Sequence, residues 1–67
     1  MKVNGALIKQ LREHEPLTAE MLAERVGVSP QTIHRIEREG TARWSNIQRI
    51  SVVLNVSMKK LVSEVKN

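Results

Sequence analysis

Residues 19–38 read AEMLAERVGVSPQTIHRIER, and the parsing of this stretch decides the fold. Leu22 and Val26 lie four apart, and Ile33 and Ile36 three apart, so each pair makes one apolar stripe at helical period. Between the pairs stands Gly27-Val28-Ser29, which leaves room only for a tight turn. Gly27 is suited to stop the first helix, because glycine adopts the left-handed conformation without the penalty a β-carbon brings. Ser29 can accept a hydrogen bond from the free amides of the next helix, and Pro30 is pre-set for its first position. Ala23, midway along the first helix, is small enough to let the second cross closely.

Two short helices meeting steeply across such a turn form a helix-turn-helix. Counting from Ala19, a small residue stands fifth, glycine ninth, and branched aliphatics fifteenth and eighteenth, namely Ala23, Gly27, Ile33 and Ile36. That pattern resembles the helix-turn-helix of the Cro/lambda-repressor family. The similarity extends outward: Leu7 to Arg12 resembles that family's first helix, and Leu17-Thr18 its entry to the second. Ile36-Glu37 resembles the end of its recognition helix, and Ile50 to Val62 its fourth and fifth helices. The resemblance implies an all-α fold, a compact five-helix lambda-repressor-like domain whose helices 2 and 3 form the motif. Residues 1–67 then make one domain, with 64–67 read as a frayed tail.

Composition narrows the function from another side. A chain of 67 residues allows a single small core. It contains no cysteine, which excludes disulfides and thiolate metal sites. His14 and His34 fall in different helices with no carboxylate at a telling spacing. No metal, cofactor or small-molecule ligand is therefore expected, and with no nucleophile–base constellation neither is an enzyme. No apolar run approaches the ~20 residues that span a bilayer, and the amino terminus lacks a signal peptide's apolar stretch. A cytoplasmic protein is expected. Eleven basic residues against seven acidic give a net charge of +4, which favours polyanions. Arg35, Arg38, Arg43 and Arg49 cluster in or just after the second helix of the motif.

Taken in order, Asn4 can cap a first helix that runs to about His14, with Leu7 and Leu11 facing the core. Glu15-Pro16 ends it, since the residue before proline is pushed out of the α region. Leu17 tucks under the core and Thr18 caps helix 2. Helix 3 runs from Pro30 to about Glu39. With Ile33 and Ile36 inward, its outer face is Pro30, Gln31, His34, Arg35 and Arg38. Ser45 and Gln48 have capping-box spacing, so helix 4 is expected from about Asn46 to Leu54, with Trp44 before the cap. Asn55 can end it in the left-handed form. Ser57 then caps a fifth helix from Met58 to about Val65.

The resemblance also implies roles. In the family an arginine at the position of Arg12 pairs with the glutamate ending the recognition helix, here Glu37, as a structural clamp. Helix 3 enters the major groove, where glutamine matches adenine and arginine matches guanine. Gln31 and Arg35 are thus the expected base readers, with Pro30 and His34 beside them. Thr18 and Ala19 at a helix start, together with Arg38, Thr41, Arg43 and Asn46, are the expected phosphate contacts.

Relatives often carry glutamine where this chain has Ala19, so anchoring there falls to the main chain. They often read asparagine-glycine after the glutamate, whereas this chain has Arg38-Glu39 and then Gly40, which predicts a slightly longer helix 3 ending at Gly40. Small members usually pair through the carboxy-terminal end, making Val56, Met58, Leu61 and Trp44 the candidate dimer surface. The expected function is a sequence-specific, double-stranded-DNA-binding transcriptional regulator, a repressor acting as a homodimer on a two-fold-related operator. An antirepressor or adaptor using the same fold without DNA is the alternative. Nothing in the sequence resembles an effector domain, so the chain equally suits the amino-terminal part of a larger repressor.

Overall fold

Asn4, Thr18 and Ser29 each turn a side-chain oxygen onto the first free amides of a helix, which fixes where three helices start. Asn4 Oδ1 accepts from the Leu7 N–H at 3.0 Å, Thr18 Oγ1 from Met21 at 3.0 Å and Ser29 Oγ from Thr32 at 3.3 Å. The computed structural model describes residues 1–62. Its elements are α1 (Gly5–His14), α2 (Ala19–Val26), α3 (Pro30–Glu39), α4 (Trp44–Leu54) and α5 (Met58–Leu61). Gly27 and Gly40 close α2 and α3 at φ 89° and 72°. Asn55 closes α4 at φ 58°. All three are left-handed, as their residue types predict. Helix α1 ends at His14, although Glu15 keeps helical dihedrals (φ −60°, ψ −39°) instead of leaving the α region, and the Glu15–Pro16 peptide is cis.

The core gathers one stripe from each helix. Ile8, Leu22, Ile33, Ile47, Ile50 and Leu61 are the largest fully buried side chains, with Leu17, Ala23, Val26 and Ile36 filling between them. Leu7 and Leu11 are half-buried and pack against the core, as expected, while Gly5, Ile8 and Arg12 form the buried face of α1. Those three sit at i, i+3 and i+7, the stripe that meets α3.

Several differences lie beside residues 1–4, a segment for which the sequence predicts only the Asn4 cap. Residues 1–4 run extended, pairing Lys2 with Thr41 and Val3 with Val62. Val3 is 3% exposed, a core residue lying outside every helix. The Asn4 N–H donates to the Leu61 carbonyl at 2.7 Å, and Val62 turns extended (φ −78°, ψ 126°). Helix α5 is Met58–Leu61 with Val62 extended, and its expected end near Val65 lies outside the described residues. Its leading residue Ser57 makes no side-chain cap bond either. At the other edge Ala42 N–H donates to the Met1 carbonyl at 2.9 Å, holding the chain extended through Arg43 (φ −70°, ψ 149°). Helix α4 begins directly after, at Trp44. Ser45 thus lies inside the first turn, and the expected Ser45–Gln48 capping box does not form; Arg43 is the cap residue, without a side-chain bond. Among the described residues no helix is long and apolar enough to cross a membrane.

Candidate nucleic-acid interface

Helix α3 is held against α2 by the turn at Gly27, whose N–H donates to the Ala23 carbonyl at 2.8 Å while Val28 donates to the same oxygen at 3.0 Å. Ala23 is 1% exposed at that crossing. With Ile33 and Ile36 sealed into the core, α3 must turn its polar side outward. Gln31, His34, Arg35 and Arg38 are exposed there, as the spacing predicts, and Pro30 is half-buried at the helix start.

The outer surface divides in two. Arg35, Thr41, Arg43 and Asn46 line a single open cleft, joined by Thr32 and by Glu39. Four of the expected contact residues are thereby brought together from α3, the α3–α4 loop and the first turn of α4. His34 and Arg38 instead line a second cleft on the α1 side, with Lys9 and Glu37. Lys9 and Thr32 were not expected in this surface. Thr32 is half-buried and its Oγ1 lies 3.1 Å from Ser29 Oγ, a placement only the cap geometry reveals.

Glu39, an acidic residue beside so many cations, has a partner: Arg38 Nη2 donates to its Oε2 at 3.3 Å. Both side chains are largely exposed. Exposed pairs of this kind contribute little, so Arg38 is readily released to another anion. At the amino end of α2, Thr18 is exposed and its hydroxyl oxygen is occupied by the Met21 N–H. Ala19 is 4% exposed, so only its main chain can take part.

Behind this surface lies the clamp. Arg12 Nε donates to Glu37 Oε2 at 2.7 Å and Nη2 to Oε1 at 3.1 Å, while Nη1 donates to the Leu17 carbonyl at 2.9 Å. The two side chains are 8% and 5% exposed. The Glu37 hydrogen bond raises the Arg12 pKa above its ordinary value against the opposing effect of burial. The pair ties α1, the α1–α2 loop and the last turn of α3 into one body, so the outer face of α3 is presented on a rigid base.

The expected dimer residues separate. Leu61 is 0% exposed and belongs to the core cluster, so its side chain is not available to a partner, a correction to its expected place on the dimer surface. Val56 and Met58 are half-buried. Trp44 is 51% exposed, and Val52, which the sequence did not single out, is 79% exposed.

A short helix laid across its predecessor by a left-handed glycine turn, apolar inside and polar outside, defines a helix-turn-helix domain. The chain belongs to that family, in its Cro/lambda-repressor-like form: the family model described as Helix-turn-helix matches residues 8–61. Among solved structures it is similar to the N-terminal DNA-binding domain of SinR from Bacillus subtilis, at 31% identity over 94% of each chain and a TM-score of 0.81. It is also similar to SinR in complex with DNA, at 32% identity over 82% of this chain and 90% of that one, TM-score 0.76. The P22 c2 repressor bound to a synthetic operator matches at 26% identity over 97% of this chain and 100% of that one, TM-score 0.85. No curated protein sequence matches.

Proposed function

We propose that this chain is a sequence-specific DNA-binding domain of a transcriptional regulator, a repressor that binds double-stranded DNA as a homodimer. Helix α3 enters the major groove, with Gln31 and Arg35 reading base edges and Pro30 and His34 alongside. Thr41, Arg43 and Asn46 follow one stretch of phosphates, with Arg38 and the amides at Thr18 and Ala19 at the periphery. The observation that carries this reading is the pairing of a buried Ile33 and Ile36 with an exposed Gln31 and Arg35 on the same helix, flanked by Thr41, Arg43 and Asn46. That the similar SinR and P22 c2 structures hold DNA supports it. Two copies would place their α3 helices in successive grooves ~34 Å apart, with Trp44, Val52, Val56 and Met58 as the exposed or half-buried apolar residues available for pairing.

Selection of bound duplexes from a randomised pool tests the reading, since a two-fold-related consensus should emerge. Failure to enrich any sequence, together with no salt-sensitive binding, would leave the adaptor reading in its place. We expect Gln31→Ala to relax preference at one operator base pair, costing about 1–3 kcal/mol of discrimination there. Its melting temperature should stay close to wild type, because the side chain is exposed. Competition between operators differing at single positions reads the effect, and an unchanged preference profile would remove Gln31 from the base readers.

Arg43→Gln should behave differently. As the exposed cap residue of α4 it uses no side-chain bond to hold the helix, so its loss should weaken binding on every duplex. The slope of log affinity against log salt should flatten by about one. A loss confined to particular sequences would instead make Arg43 a base reader.

A further inference from the structure

Lys2 carries no role in the reading above, yet the backbone sets it beside the proposed phosphate contacts. The Val3 N–H donates to the Gly40 carbonyl at 2.9 Å, and the Ala42 N–H donates to the Met1 carbonyl at 2.9 Å. These bonds flank Lys2 and Thr41, which face each other as an antiparallel pair with no hydrogen bond between them. Side chains in such a pair project from the same face, with Cβ atoms about 4.5–5.5 Å apart. Val3 shows which face. Successive side chains alternate along an extended segment, and Val3 points into the core at 3% exposure. Lys2 therefore points the other way, to solvent, together with the exposed Thr41. Thr41 itself lines the cleft that holds Arg35 and Arg43.

We propose that Lys2 is a further phosphate-contacting residue, held next to Thr41 by the extended amino-terminal segment and adding to the cationic edge that Arg43 begins. An ammonium on a flexible stem is a point charge with rotatable donors, suited to a phosphate and indifferent to base identity. Its backbone is already fixed on both sides, so binding need order only the side chain. The charge of the segment and its pairing with the α3–α4 loop thus serve the same surface. The proposal rests on the DNA-binding reading and extends it to a segment outside all five helices.

The test measures affinity for a random-sequence duplex across a salt series for the wild type, Lys2→Gln, Lys2→Arg, Lys60→Gln and Arg43→Gln. Lys60 is an exposed lysine on α5 that lines a cleft with Leu7, Leu11 and His14, so Lys60→Gln removes the same charge elsewhere. Lys2→Gln should flatten the salt slope by about one, so that between 50 and 200 mM salt it loses about 3.5-fold less affinity than the wild type. Lys2→Arg and Lys60→Gln should keep the wild-type slope, and all variants should melt together. An unchanged slope in Lys2→Gln, with Arg43→Gln still flattened, would overturn the proposal and leave the DNA reading standing. An equal flattening by Lys60→Gln would also overturn it, as an effect of net charge alone. No salt-sensitive binding by the wild type would take down both.

Discussion

Glu37→Ala is expected to destabilise the domain by about 3–5 kcal/mol, because it leaves the Arg12 guanidinium buried without its counter-charge. Arg12 has nowhere else to go. Its side chain is 8% exposed, and its one remaining bond, from Nη1 to the Leu17 carbonyl at 2.9 Å, pins it in place. Domains of this size hold only about 3–5 kcal/mol in total, so the loss is comparable with the whole stability. At about 4–8 °C per kcal/mol, thermal unfolding by circular dichroism should show a fall of at least ~12 °C. Replacing both partners with leucine should recover part of the loss, since apolar packing can substitute for an ion pair. The recovery should stay incomplete, because the Leu17 carbonyl loses its donor, at a cost of about 1–3 kcal/mol. The sign with pH follows from the raised Arg12 pKa. A raised folded-state value means the contribution is fully present below the unfolded-state pKa and is lost only on rising through the folded one. For arginine that lies above any working pH, so the deficit of Glu37→Ala should be the same at pH 7 and pH 9. A fall of under ~5 °C would mean that water reaches Arg12 and the clamp is weaker than its geometry implies.

How much of this was legible in the sequence depends on the range of the interaction. Caps at Asn4, Thr18 and Ser29 and stops at Gly27, Gly40 and Asn55 are local, decided within four residues, and they stand where the sequence puts them. The outward face of α3 followed by elimination once Ile33 and Ile36 were placed inward. The Arg12–Glu37 pair spans 25 residues and came only through family resemblance. What was missed is longer in range still. Nothing near Val3 announces that it will pair with Val62, or that Lys2 will meet Thr41. Those pairings lie beside the start of α4, one residue ahead of Ser45, and beside the end of α5, where Val62 turns extended. Arg35, Thr41, Arg43 and Asn46 were expected as contacts, but the one cleft that joins them was not legible, because its shape depends on how the α3–α4 loop folds back.

Gly5→Ala should reverse the sign that helix preference gives such a change. In an exposed helix, alanine is favoured over glycine by up to ~1 kcal/mol. Gly5 is not exposed: it is a buried residue where the first turn of α1 meets the end of α3. A β-carbon there would collide with the Glu37 carbonyl oxygen and lie 2.8 Å from both the Glu37 carbonyl carbon and the Ile36 oxygen. All three are backbone atoms, so no side-chain rotation relieves the contact. The Ile36 oxygen is further held by the Gly40 N–H at 2.8 Å. Either α1 lifts away from α3 or the last turn of α3 shifts, and either movement disturbs the Arg12–Glu37 clamp one layer below. We expect a loss of about 3 kcal/mol, the upper end for overpacking, and a melting temperature at least ~12 °C lower. Ala6→Gly, the neighbouring exposed position, should cost no more than ~1 kcal/mol, which separates a packing effect from a helix-propensity effect. A Gly5→Ala protein that melts at or above the wild-type temperature would show that α1 can slide off α3 without cost. The close approach would then not be what holds α3 at its angle.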